Sequence, residues 1–156
     1  MFAKPQAEHQ WLQPLVGNFH FESECEGADG KSITTGKVVG KSLGGLWVVL
    51  EGNGTFENDS WENRIVLGYD PQVERYVGTF IGSMFNQMWL YNGKIDATDG
   101  RLVLDTVGPK FEGQGTTNYQ DIIEIVDQDH WILSSRVQGD DGTWTDFMTA
   151  HHRRVK

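Results

Sequence analysis

Alternation of apolar and polar residues dominates the chain. Between positions 19 and 26, Phe19, Phe21, Ser23 and Cys25 fall on one face, and His20, Glu22, Glu24 and Glu26 fall on the other. A period of two belongs to a β-strand with one buried side, so the odd face of this strand points inward. The same parity turns Val38 inward, away from Lys37 and Lys41, and sets Ile65, Leu67 and Tyr69 against Glu62, Arg64 and Asp70. Tyr119, Asp121, Ile123 and Ile125 share another inward face. Ten strand-like segments result, at about 18–27, 31–42, 46–56, 61–69, 74–82, 86–97, 101–108, 115–127, 130–138 and 143–155. Turn residues separate them, among them Ala28-Asp29-Gly30, Leu43-Gly44-Gly45, Asp70-Pro71-Gln72 and Asp127-Gln128-Asp129.

Strands joined in sequence by short turns, with no helical crossovers, predict an all-β, antiparallel up-and-down barrel of about ten strands. Only Ala7 to Leu15 has helical spacing, with Trp11, Leu12 and Leu15 on one side and Gly17 as a stop. A short helix before the first strand is expected to cap one end of the barrel. The 156 residues form a single domain with one core, 1–156.

Composition narrows the partners. With 22 acidic against 13 basic residues, the formal charge of -9 disfavours nucleic acid and anionic membranes. No apolar run approaches the ~20 residues of a membrane span, and the first residues lack the pattern of a signal peptide, so a soluble cytoplasmic protein is expected. The single cysteine, Cys25, forms no internal disulfide and reads as a small core residue.

Candidate chemistry is sparse. His151 and His152 are neighbours on one strand and point to opposite faces, and His20 and His130 lie apart from them, so no metal site is expected. No nucleophile elbow occurs, and Gly52-Asn53-Gly54 and Gly113-Gln114-Gly115 lack the strand–loop–helix context of a phosphate cradle and read as turns or bulges. Asp121 stands out, because its parity places a carboxylate inside, where it must be paired, hydrogen-bonded or neutral. Asn63 and Gln87 pose the same question with less at stake. Six Trp, four Tyr and eight Phe are a heavy aromatic load, and Trp61, Tyr69, Phe80, Tyr119 and Phe147 are candidates to line the interior.

Certain motifs carry a family likeness. Glu8-His9-Gln10-Trp11-Leu12 followed by Leu15-Val16-Gly17-Asn18-Phe19 resembles the opening of the DUF1579 family, a bacterial family of unknown function placed among the calycin, or lipocalin-like, barrels. The resemblance continues through Gly68-Tyr69-Asp70-Pro71, Tyr76-Val77-Gly78-Thr79-Phe80, Met88-Trp89 and Tyr119 to Ile125. Gly17-Asn18-Phe19 is similar to the G-x-W of lipocalins, with Phe19 in place of tryptophan. That resemblance implies a structural barrel base of Gly17 and Phe19 with an arginine of the last strand, Arg153 or Arg154, packed over the ring.

Three functions are expected from these features. The first is a non-enzymatic barrel for a small apolar or amphipathic ligand, entering opposite the helix and oriented by Asp121, Tyr119 or Asn63. The second is an enzyme in which Asp121 works as acid or base with Tyr119 or His151. The third comes from a resemblance to the haem-binding nitrobindins, similar ten-stranded barrels, and implies His151 or His152 as an axial ligand. Trp47 and Val49, outward if Leu46, Val48 and Leu50 are inward, are a candidate homodimer face.

Overall fold

The computed structural model describes every residue except Ala28, so the first of the expected turns lies partly outside the described residues. A short helix α1 (Ala7–Trp11) and a 3-10 turn (Gln13–Leu15) precede ten strands. These are β1 (Gly17–Gly27), β2 (Gly30–Leu43), β3 (Trp47–Phe56), β4 (Asp59–Asp70), β5 (Arg75–Gly82), β6 (Trp89–Ile95), β7 (Leu102–Pro109), β8 (Thr116–Asp127), β9 (His130–Gln138) and β10 (Trp144–Arg154). Each strand pairs antiparallel with the next, and β1 closes on β10, from Phe19 opposite Arg154 to Cys25 opposite Met148. The chain is therefore a closed up-and-down barrel without free edges, which removes the edge-pairing hazard of an open sheet.

The helical segment is shorter than its apolar spacing suggests. Pro14 lacks an amide hydrogen and crowds the preceding turn, so α1 stops at Trp11 and the chain continues as one 3-10 turn. Leu12 and Leu15 are fully buried beneath it. The cap is anchored by polar contacts as well. His9 Nδ1 accepts the Gln6 amide at 2.9 Å, so the proton sits on Nε2, which donates to the Tyr69 carbonyl at 3.0 Å. The Tyr76 hydroxyl donates to the Glu8 carbonyl at 2.8 Å.

Behind the cap, Phe19, Leu67, Leu102, Trp131 and Ile123 are almost completely buried in the core. Arg154 closes this end. Its guanidinium lies 4.7 Å from the centre of the Phe19 ring, and it donates to the carbonyls of Val16, Pro14 and Gln128. Gly17, at φ +136°, leaves the space that this guanidinium occupies, since a Cβ there would meet Arg154 Nη1 at 2.1 Å. Arg153, one residue earlier, is exposed on the outer wall, so the base arginine is Arg154 and not Arg153.

Gly52-Asn53-Gly54 is neither a turn nor a bulge but part of β3, in regular register with Asn63, Glu62 and Trp61 of β4. Trp47 is on the outer wall as its parity requires, with its ring laid across Gly68. No described helix is long and apolar enough to cross a membrane.

Candidate functional site

Above the packed floor the barrel is hollow. A cavity of about 760 Å³ opens at the end opposite α1, where β3 ends at Phe56 and the segments 83–88 and 110–115 carry Met84, Phe85 and Phe111. Its wall is largely apolar. It is wide because several large residues face glycine on the adjacent strand: Phe21 opposite Gly36, Trp61 opposite Gly54 and Asn63 opposite Gly52. In each pair a Cβ on the glycine would meet the neighbour's side chain at 2.3–2.6 Å, so the large group lies flat against the wall.

Of the residues singled out from sequence, Trp61, Asn63, Phe80, Tyr119, Asp121 and Phe147 line this one cavity. Tyr69 does not. It points inward, but near the closed end, where it packs on His9 and Tyr76 below the cavity floor. Parity along a strand gives the face of a residue and carries no information about its height.

His151 is a second correction. It sits on the outer wall opposite Glu22, stacked on His130 with 2.9 Å between His130 Nε2 and His151 Nδ1. Its neighbour His152 is the inward one, 4% exposed and lining the cavity. The cause is a β-bulge in β10 between Asp146 and Met148, where the register against β9 shifts by one. Phe147 and Met148 consequently both line the cavity, and beyond the bulge the even positions Ala150, His152 and Arg154 face inward. A uniform odd parity through Phe147, His151 and Arg153 holds for the first and fails for the other two.

Asp121 is half-buried on the cavity wall. Its carboxylate accepts the Ser135 hydroxyl at 2.5 Å and, on its other oxygen, the Tyr91 hydroxyl. Burial pushes its pKa above the usual carboxylate range, while the Ser135 and Tyr91 hydrogen bonds pull the other way. Tyr91 is pushed well up by burial and by the neighbouring carboxylate. Neither partner expected for acid–base work joins Asp121: Tyr119 donates its hydroxyl to the Pro109 carbonyl, and His151 is outside the barrel. The geometry thus forms a Tyr91–Asp121–Ser135 cluster, not an Asp121–Tyr119 or Asp121–His151 pair.

Four buried polar atoms have no hydrogen-bond partner among the described residues: Trp89 Nε1, Thr106 Oγ1, Trp131 Nε1 and His152 Nδ1. All four belong to cavity-lining residues. His152 stacks on Trp131 with ring centres 3.6 Å apart and planes within 3°. Burial, acting before any other cause, drives its pKa down to about 3, so its imidazole is neutral at physiological pH. Trp131, Tyr91, Ser135 and Thr106 were not singled out from sequence. The signal was present for β9, where Trp131, Leu133, Ser135 and Val137 alternate with Ile132, Ser134 and Arg136.

Six rings form a collar around the mouth. Phe80, Phe85, Trp89, Tyr119, Phe111 and Phe147 contact in sequence, each pair edge-to-face, with centroids 4.9–6.0 Å apart. Lys110 stands beside them, held to Asp140 at 2.8 Å.

Comparison with known proteins agrees with this architecture. The profile of a family described as protein of unknown function, DUF1579, matches residues 4–154. The chain belongs to the DUF1579 family. No curated protein matches its sequence. Among solved structures, this DUF1579 barrel is similar to the crystal structure of Rv2717c from M. tuberculosis, with a TM-score of 0.66 and 11% identity over 98% of this chain and 100% of that one. It is also similar to the S-type phycobiliprotein lyase CPES from Guillardia theta, with a TM-score of 0.63 and 14% identity over 97% of this chain and 99% of that one. At such identities the likeness is one of fold.

Proposed function

We propose that this DUF1579 protein is a binding barrel for one small, largely apolar molecule, which enters at the mouth ringed by aromatic side chains. The observation that carries this reading is the 760 Å³ cavity, closed below by the Phe19–Arg154 floor and open at one end. That volume lies in the range of small-molecule sites, and an apolar wall with a few fixed polar groups is their usual construction. Burying an apolar ligand in it contributes roughly 25 cal/mol per Å² of apolar area removed from water.

Nile red, an uncharged dye whose emission shifts to the blue in apolar surroundings, tests the reading. Saturable one-to-one binding is expected. It should disappear in Leu133→Trp, which fills the cavity from a mid-height wall position. Binding unchanged by this substitution, in a variant whose circular dichroism is native, would place the dye elsewhere and refute the proposal.

A second reading, a haem protein, is favoured by His152. A neutral, inward imidazole in an apolar cavity is the protein group that an axial ligand requires, and the outward His151 drops out. Metal-ligating histidines usually donate their other N–H to an orienting partner. Here Nδ1 has none, and the flat stack on Trp131 takes over the orienting role. Haemin titration decides: a Soret band that His152→Ala removes supports this reading, and no Soret shift rejects it.

A further inference from the structure

Resting on the binding reading above, we propose that the ligand is an amphipathic organic cation, an ammonium group on an apolar body, which pairs with Asp121 inside the cavity. Three features point to this class.

The first is the state of Asp121. It faces inward on β8, between Leu104 of β7 and Ser135 of β9, and it is half-buried, so its remaining surface is turned to the cavity. An ionised carboxylate accepts about four hydrogen bonds. Ser135 supplies one on one oxygen and Tyr91 one on the other, which leaves each oxygen a lone pair for a further donor. Both partners are uncharged. Among the described residues every ion pair lies elsewhere, and none reaches Asp121. A carboxylate taken out of water is normally matched by a cation, which a bound ammonium group would supply.

The second is the sign of the charges on the wall. Besides Asp121, the lining includes two side chains of the basic type. His152 is neutral, its pKa lowered by burial to about 3, and Lys110 is tied to Asp140 at the mouth at 2.8 Å. An anion brought inside therefore finds no free counter-charge, whereas a cation finds Asp121. Asn63 and Gln87 also line the wall, but an amide offers donor and acceptor alike and so selects neither sign. Outside, the formal charge of -9 draws cations toward the protein.

The third is the entrance. All six rings of the collar also line the cavity. An aromatic face carries negative charge, so these rings attract a cation and cover its apolar body on the way to Asp121.

Charge also sets the pH dependence. Burial raises the pKa of Asp121, and an adjacent ammonium favours the ionised form. The cation therefore binds more tightly as pH rises through that raised value, and a neutral ligand does not. Leu104 and Ser135, beside Asp121, do not titrate. Tyr91 and Tyr119, both raised by burial, stay protonated between pH 4 and 7, and His152 stays neutral.

The test uses three naphthalenes of matched shape: 2-naphthylmethylammonium, 2-naphthylmethanol and 2-naphthoate. Each competes with Nile red for the full-length protein. At pH 7 the ammonium compound is expected to bind about tenfold tighter than the alcohol, the difference between a charged and a neutral hydrogen bond. The naphthoate should bind at least about tenfold more weakly than the alcohol, because it is desolvated without a counter-charge. In Asp121→Asn, which keeps the shape and removes the charge, the ratio of ammonium to alcohol affinity should fall to about one. The same ratio in wild type should fall as pH is lowered from 7 to 4, which decides the matter if Asp121→Asn does not fold. Equal affinity of ammonium compound and alcohol in wild type, tighter binding of the naphthoate, a ratio independent of pH, or an advantage that survives in Asp121→Asn overturns this inference. Saturable Nile red binding would in each case leave the binding reading standing. If neither Nile red nor any naphthalene binds saturably, both fall.

Discussion

Replacing Arg154 with alanine should lower the melting temperature far more than replacing Arg153, its neighbour in sequence. Arg154 donates to the Val16 carbonyl at 2.9 Å and to the Pro14 carbonyl at 3.2 Å, both half-buried contacts that fasten the capping segment to the last strand. It also donates twice to Gln128 and covers Phe19. Its ion pair with Asp129 is half in water and shared with Lys156, so it counts for little. Charged hydrogen bonds to otherwise unpaired carbonyls together with the ring contact are worth about 3 kcal/mol. For a domain of this length that corresponds to roughly 6–12 °C. Arg153 is exposed, and its loss should cost within about 0.5 kcal/mol. Arg154→Lys keeps the charge but not the planar fork, and should fall between. Thermal melts followed by far-UV circular dichroism read all three. An Arg153→Ala melt depressed as far as that of Arg154→Ala would show that the register of β10 beyond its bulge is wrong.

Three further outcomes are expected. His152 is held neutral, its pKa lowered from 6.5 to about 3, so the unfolded chain binds more protons between those values and wild-type stability falls as pH drops through that window. His152→Phe removes this dependence. Urea denaturation should therefore show the variant gaining on wild type with falling pH, by at most about 1.4 kcal/mol per unit, and a constant difference would contradict the burial of His152. Asp121 has the opposite sign: its folded pKa lies above 3.8, so wild type loses stability as pH rises from there through the raised value. The stability of Asp121→Asn relative to wild type should accordingly climb over that interval, and a fall would mean that the Tyr91 and Ser135 hydrogen bonds outweigh burial. Gly54→Ala places a methyl 2.6 Å from the Trp61 ring and 2.9 Å from the Thr35 carbonyl oxygen. Such overpacking costs about 1–3 kcal/mol, and an unchanged melting temperature would argue against the tight pairing of β3 with β4.

Much of this was legible in the sequence wherever period two ran unbroken. Phe19 and Phe21 could be turned inward from β1 alone, and Asp121 from β8, because β1 is regular and the irregularity of β8 comes only after Ile125. The last strand was not legible in the same way, since the bulge near Phe147 depends on how β10 meets β9 and leaves no local mark in the residues themselves. Tyr69 shows a different limit: its face is right, but its height along the barrel follows from closure and shear, which are properties of all ten strands together. Tyr91 and Ser135 were not legible because an uncharged hydroxyl on an inward face carries no mark of the carboxylate it satisfies. The partners of Asp121 lie on β6 and β9, of which β9 is its direct neighbour in the closed sheet and β6 is two strands away.

Height also separates what stabilises this barrel from what equips it to bind. Ten strands enclose more space than ordinary side chains fill, so the sequence must decide where the volume goes. It is spent at the closed end, on Phe19, Trp131, Leu12, Leu15 and Leu67, all at most 2% exposed. It is withheld above, where Ser23, Ser32, Thr34 and Ala150 line the wall and Gly36, Gly52 and Gly54 let their neighbours lie flat. Trp131 and His152 stand at the boundary, stacked on each other and packed on the floor side while other parts of their side chains line the cavity. Substitutions below that boundary should move the melting temperature and leave affinity for a saturating dye nearly unchanged. Those above it should do the reverse, and only at Trp131 and His152 should the two quantities move together.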